Sequence, residues 1–138
     1  MNCILCKVAN KEIKSYVVCE SGQFVSVLDI HPHAPGHSLV IPKNHIENFV
    51  DLPENLHHEF IQVIKETLIT LSKALNTTDF TLGINEGPLA GRAIPHLHFH
   101  ILPRFPNDGG GSIHTVVKNI PEGSLEEIYQ KIINVRKS

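Results

Sequence analysis

The chain has 138 residues, 41% hydrophobic and 19% charged, enough apolar side chains for one core and too few charges for a disordered chain. Its formal net charge is −2 with neutral histidines, which argues against a general binder of nucleic acid or anionic membrane, although a small phosphate ligand needs only a few local donors. No apolar run is long enough to cross a bilayer and residues 1–17 lack the layout of a signal peptide, so a cytoplasmic location is expected, with three cysteines serving as metal ligands or free thiols rather than as a disulfide framework.

In chain order, residues 15–20, 23–29 and 37–42 are rich in Val, Ile, Leu and Phe and are bounded by the turn signals Ser21-Gly22 and "HPHAPG", which predicts a meander of three strands. Residues 53–76 carry Leu56, Phe60, Ile64, Leu68, Leu71 and Leu75 at steps of three and four, the spacing of a long amphipathic helix. Asp51 is its expected N-cap, with Pro53 in the first turn. Residues 79–85, "DFTLGIN", return to strand character, and "HLHFHIL" follows a Gly-rich connection. The stretch "PNDGGGSIH", residues 106–114, predicts a flexible loop and lacks the Lys-Ser/Thr of a phosphate-cradling loop. Ser124 and Glu127 form a capping box that opens a C-terminal helix striped by Leu125, Ile128, Tyr129, Ile132 and Ile133. Strands clustered around one long helix predict a single α+β domain over 1–138, with an antiparallel sheet, one long helix and a C-terminal helix.

The densest chemistry lies in "PHLHFHILPR", residues 95–104. On a strand, alternate side chains share a face, so His96, His98 and His100 fall together and Leu97, Phe99 and Ile101 turn to the core. Adjacent imidazoles on one face have coupled titrations and can serve as nucleophile, acid or base, or metal ligand. The competing reading is a wet sheet face that carries histidines by chance, which suits one histidine better than three in register. Alternate strand positions are about 7 Å apart, so the three do not close readily on one ion, whereas one of them could join a distant ligand set. "CILC", with Cys3 and Cys6, is such a partner; on spacing alone it fits zinc or ordinary reduced thiols, while thiol redox chemistry lacks its βαβ setting. Cys19, inside a strand, reads as a small core residue. His31 and His33 belong to a polar turn, His57 and His58 to a solvated helix face, and Arg104 and Lys43 to the surface or to a phosphate contact.

These motifs together resemble the histidine triad (HIT) family. Its His-φ-His-φ-His-φ-φ signature stands here as His96-Leu-His98-Phe-His100-Ile-Leu. The upstream block "LDIHPHAPGHSLVIPKNH", the block "NEGPLAGRAIPHLHFHILPR" and the opening "CILCKVANKEIKSYVVCESG" are similar to the corresponding parts of zinc-binding members, so the resemblance covers about residues 3–106, with 107–138 as a less diagnostic C-terminal loop and helix. It implies a HIT-like fold, a homodimer, and a nucleotide hydrolase or nucleotidyl transferase acting at the α-phosphate of a nucleoside phosphoramidate or dinucleoside polyphosphate. It further implies His98 as the nucleophile forming a nucleotidyl-histidine intermediate, His100 as a phosphate-binding partner and His37 as an upstream organiser of protons. Asp29 would bind ribose, while Asn85, Gly91 and Arg92 would line the phosphate with His98 and His100. In zinc-binding members the metal set would be Cys3, Cys6, His45 and His96, a closed and hence structural site. Two positions depart from the family pattern: Arg92 stands where Gln is common and Ala93 where many members carry Ser or Thr. Arg92 could offer a cationic fork to phosphate or point to solvent. Two other classes of function stay open: a non-catalytic purine-nucleotide sensor or adaptor, which would keep the pocket without turnover, and a zinc-organised redox or interaction domain built on Cys3 and Cys6.

Overall fold

The computed structural model describes residues 2–137. Five strands, β1 (Val17–Glu20), β2 (Phe24–Leu28), β3 (Ser38–Pro42), β4 (Phe80–Gly83) and β5 (Phe99–Pro103), form one antiparallel sheet in the order β1-β2-β3-β5-β4. Among the described residues three α-helices accompany it: α1 (Ile4–Ala9), α2 (His57–Leu75) and α3 (Leu125–Arg136). The α+β class and the three-strand meander are as the sequence predicts. Among the described residues no helix is long and apolar enough to cross a membrane.

Strand alternation divides the core in two. Phe24, Val40, Leu97 and Ile101 face α2 and pack on Phe60 and Val63, while Val25, Val27, Leu39 and Ile41 turn to the opposite side, where Leu5 and Ala9 of α1 close over them. The buried polar pair on the α2 side is internally satisfied: Thr67 Oγ1 donates to Ser26 Oγ at 2.8 Å. Gly36, at φ +83°, enters β3 where an added Cβ would collide with Leu75 of α2, so this turn is restricted to glycine by both conformation and space.

Four expectations change. The long helix begins at His57, after 3-10 turns over Phe49–Asp51 and Glu54–Leu56, so Asp51 is not its N-cap; it accepts from Asn48 Nδ2 at 3.0 Å instead. The entry is held by Glu59, whose carboxylate accepts the Gln23 N–H at 2.6 Å and ties α2 to the β1–β2 turn. His57 is not simply solvated: its Nε2 donates to the Leu52 carbonyl at 3.1 Å. Loop 106–112 is anchored: Arg104 grips Asp108 through Nε at 2.7 Å and Nη2 at 3.0 Å, and its Nη1 donates to the Gly111 carbonyl at 2.7 Å. That guanidinium, with the Gly110 and Phe105 N–H groups, holds the Asp108 carboxyl far below the usual range. Finally, α3 is capped as its Ser-x-x-Glu signature requires, Ser124 Oγ accepting the Glu127 N–H at 3.2 Å, but its apolar stripe is exposed, with Leu125 at 85% and Ile132 at 54%.

Candidate functional site

Sheet pairing assembles the first cluster. β3 and β5 set Leu39 opposite His100, which brings His37, at the mouth of β3, beside the His100 ring. β4 sets Gly83 opposite His100, and Asn85 follows two residues after the end of that strand. The regular strand starts only at Phe99; His96 lies in a bend, its N–H bonded to the Ile94 carbonyl at 2.8 Å, and His98 in the irregular residues that lead into the strand. Alternation nevertheless persists, with Leu97 and Phe99 packed toward α2 and the histidines on the reverse side.

Hydrogen-bond polarity assigns the tautomers. A main-chain carbonyl can only accept, so His98 Nδ1 carries a proton and donates it to the His96 oxygen at 2.7 Å. The lone pair of neutral His98 therefore sits on Nε2. The His33 N–H donates to His37 Nδ1 at 3.1 Å, which leaves His37 Nε2 as the protonated nitrogen, donating to His100 Nδ1 at 3.0 Å. His100 must then carry its own proton on Nε2. This nitrogen is buried and has no hydrogen-bond partner among the described residues. An unmet buried donor costs about 1–3 kcal/mol, a cost that an acceptor oxygen of a ligand would offset. The His98 and His100 rings have centroids 5.0 Å apart, so one ligand can meet both. Burial first, then the neighbouring His98 and His37 rings, push His100 down to about 4, and burial also lowers His37 despite the Asp29 carboxylate 3.6 Å away.

Asp29, His37 and His100 place donor atoms close enough to suggest a second cation site. The polarity argues otherwise: a metal on His37 Nε2 would require the proton on Nδ1, where the His33 N–H already points. Within the trio His37 and His100 form a proton-ordered pair, with the Asp29 carboxylate 3.6 Å from His37 Nε2. Asp29, which also accepts the His31 N–H at 2.9 Å, edges a hollow of about 450 Å³ lined by Leu28, Pro32, His33, Gly36 and His37. A larger hollow, about 720 Å³ between the loop 119–123 and α3, lies away from the triad and is lined by none of its residues. Phe24 is fully buried core, whereas Ile30, next to Asp29 in the chain, is exposed.

The second cluster joins three distant segments. Cys3 caps α1, and its Sγ accepts the Cys6 N–H at 3.5 Å, so both sulfurs lie at one helix end. Cys3 Sγ and Cys6 Sγ each lie 3.4 Å from His96 Nδ1, and Cys6 Sγ lies 3.3 Å from His45 Nδ1. Tetrahedral zinc with about 2.3 Å to sulfur and about 2.0–2.1 Å to nitrogen separates such ligand atoms by about 3.5 Å, so the four donors fit the ion. His96 is prepared for it: Nε2 donates to the Pro42 carbonyl at 2.9 Å, which frees Nδ1. Burial and the Cys3 sulfur push the Cys6 thiol up, which disfavours a reactive thiolate unless a cation is present.

Thus the geometry unites His37, His98, His100 and Asp29 in one cluster and Cys3, Cys6, His45 and His96 in another, the two joined through His96. Gly91 ends a 3-10 turn at φ +97°, and Arg92 turns toward Glu47 and Glu86. Cys19 is only half-buried, near Thr70. The site also depends on groups with no sequence signal, namely the His33 N–H and the His96 and Pro42 carbonyls. These are main-chain atoms: every residue type supplies the carbonyl, and every type but proline the N–H.

The model of the HIT domain family matches residues 10–107. An uncharacterised HIT-like protein of Methanocaldococcus jannaschii is 38% identical over 94% of this chain and 98% of its own. An adenosine 5'-monophosphoramidase of Saccharomyces cerevisiae is 32% identical over 95% of this chain and 80% of its own. The crystal structure of a HIT family member from Bacillus subtilis superimposes with a TM-score of 0.85 at 28% identity, covering 99% of this chain and 96% of that one.

Proposed function

The chain belongs to the HIT domain family, and from that footing we propose that it is a hydrolase of nucleoside 5'-phosphoramidates, working through a covalent intermediate on His98. The observation that carries this reading is the His98 Nδ1–H bond to the His96 carbonyl at 2.7 Å, which commits the free lone pair to Nε2. The monophosphoramidase activity named for the yeast relative supports the choice of substrate class.

In the first step His98 Nε2 attacks the α-phosphorus. A P–N(imidazole) bond forms while the Nδ1–H stays on His98, the P–N bond to the leaving amine breaks, and the amine takes up a proton from solvent as it departs. The second step reverses the geometry: water attacks phosphorus and gives up a proton to solvent, the bond to His98 breaks to return neutral imidazole, and the nucleoside monophosphate is released. Dividing one displacement into two lowers each barrier. The unpartnered His100 Nε2–H donates to a phosphoryl oxygen, and His37 holds His100 in the required tautomer. Asp29 accepts ribose hydroxyls from the neighbouring hollow, and Asn85 and Gly91 supply polar and main-chain contacts to phosphate.

Cys3, Cys6, His45 and His96 would hold a structural zinc ion, whose contribution is to cross-link α1, the segment after β3 and the triad. The exposed stripe Leu125, Ile128, Tyr129 and Ile132 supports a homodimer, which sedimentation would read as twice the chain mass; a monomer at micromolar concentration would overturn it. The function itself is tested by offering adenosine 5'-phosphoramidate beside a diadenosine polyphosphate. Release of AMP is expected preferentially from the phosphoramidate. AMP binding without turnover of either compound would favour a nucleotide sensor instead.

A further inference from the structure

Arg92 lies in the family's phosphate block, yet its bonds lead elsewhere. Its side chain is only 10% exposed. Nη1 donates to the Glu47 carbonyl at 3.2 Å and to Asn48 Oδ1 at 2.9 Å, which accounts for both of its hydrogens. Glu47 Oε1 lies 3.6 Å from Nη2 and Glu86 Oε1 lies 3.7 Å from Nη1, so any phosphate would compete with two carboxylates for this cation. Glu86 in turn accepts the Phe49 N–H at 2.7 Å through its other oxygen. The loop 85–92 is thereby pinned at both ends to the segment 47–49. That segment continues from His45, and the Ile46 carbonyl accepts the Leu97 N–H at 2.7 Å, directly before His98.

We infer that Arg92 is a positioning residue: it latches the loop that presents Asn85 and Gly91 onto the segment 45–49, which is itself bonded to the triad, and so sets the separation between phosphate loop and nucleophile. This assignment rests on the reading of His98 as the reacting group. It assigns the Arg-for-Gln departure a structural consequence, since the guanidinium fork can bridge a carbonyl, an amide oxygen and two carboxylates at once, which a glutamine cannot.

The test compares the full chain with Arg92→Ala, Arg92→Lys and Glu86→Gln, measuring Phe49 amide exchange by NMR, AMP affinity, and kcat and KM on adenosine 5'-phosphoramidate. Arg92→Ala is expected to speed Phe49 exchange at least about tenfold and to lower kcat about tenfold, within the range that a misplaced loop produces, while AMP affinity changes less than about threefold. Arg92→Lys keeps the charge but not the fork, so it stays slow, and Glu86→Gln reproduces the Phe49 exchange without adding to Arg92→Ala. A tenfold loss of AMP affinity with Phe49 still protected would make Arg92 a phosphate contact and overturn the latch. Full kcat in Arg92→Lys, or unchanged Phe49 exchange in Arg92→Ala, would also overturn it. If the wild-type chain turned over no phosphoramidate, the function would fall while Phe49 exchange still decided the latch.

Discussion

His98→Ala is expected to lower turnover of adenosine 5'-phosphoramidate on the order of a thousandfold or more, with AMP affinity nearly intact. The asymmetry follows from the geometry. His98 is part-exposed and its single described polar bond is to the His96 carbonyl, so its removal empties the nucleophile position without disturbing the hollow at Asp29. His100→Ala should cost less, about a hundredfold, because it removes one donor to a developing charge and leaves covalent chemistry possible. Rapid quenching of the wild-type reaction should trap an acid-labile nucleotidyl-protein that His98→Ala never forms. Near-normal turnover in His98→Ala, or a label persisting in it, would eliminate the covalent route. The pH profile adds an independent reading. His100, held at about 4 by burial and its neighbours, stays neutral as pH falls from neutrality, and the His37-to-His100 bond survives until His100 takes a second proton on Nδ1. Titration of His100 should therefore contribute no loss of turnover until the pH approaches that value.

Much of this arrangement is legible in the sequence because it depends on periodicity. Period-two alternation places the three histidines on one side of β5 and Leu97, Phe99 and Ile101 on the other, and it survives even where the ladder has not yet begun. What escapes is whatever depends on distant partners. α1 is a six-residue helix, too short to declare itself by pattern, and Cys3 caps it with sulfur rather than with a usual oxygen. Asp51 followed by Pro53 has the chemistry of a helix start, yet the chain passes through two 3-10 turns first, and Glu59 in the first turn of α2 bonds to the β1–β2 turn. The stripe on α3 records an amphipathic helix but not what its apolar face meets. Arg92 gives no sign in sequence that its partners Glu47 and Asn48 sit more than forty positions upstream. The proton order of the His37–His100 pair depends on the His33 N–H, a group that every non-proline residue owns.

Removal of metal should produce the other large effect. The purified chain is expected to carry one zinc per polypeptide, and prolonged chelation should lower its melting temperature by roughly 10 °C or more, the shift that about 3 kcal/mol produces in a domain of this size. The loss should stop short of complete unfolding at ambient temperature. Two apolar clusters flank the sheet whatever the state of the quartet, and only the one beneath α1 includes its cysteines. The four ligands should not be equivalent. His45 is exposed, and replacing it by alanine leaves three donors and an open position, so metal binding weakens without being abolished. Cys3→Ser with Cys6→Ser removes both sulfurs and should release the ion and undock α1. His96→Ala should be the most damaging, because it removes a fully buried ring that also donates to Pro42 and leaves a cavity at the residue whose backbone oxygen holds the His98 proton. Metal loss thereby reaches the nucleophile through a single shared residue, and chelation should depress kcat while leaving AMP affinity largely unchanged, since Asp29 and its hollow lie outside the quartet. A chain purified without stoichiometric metal, and indifferent to chelator in both melting and turnover, would show that the four donors are held by their own contacts alone.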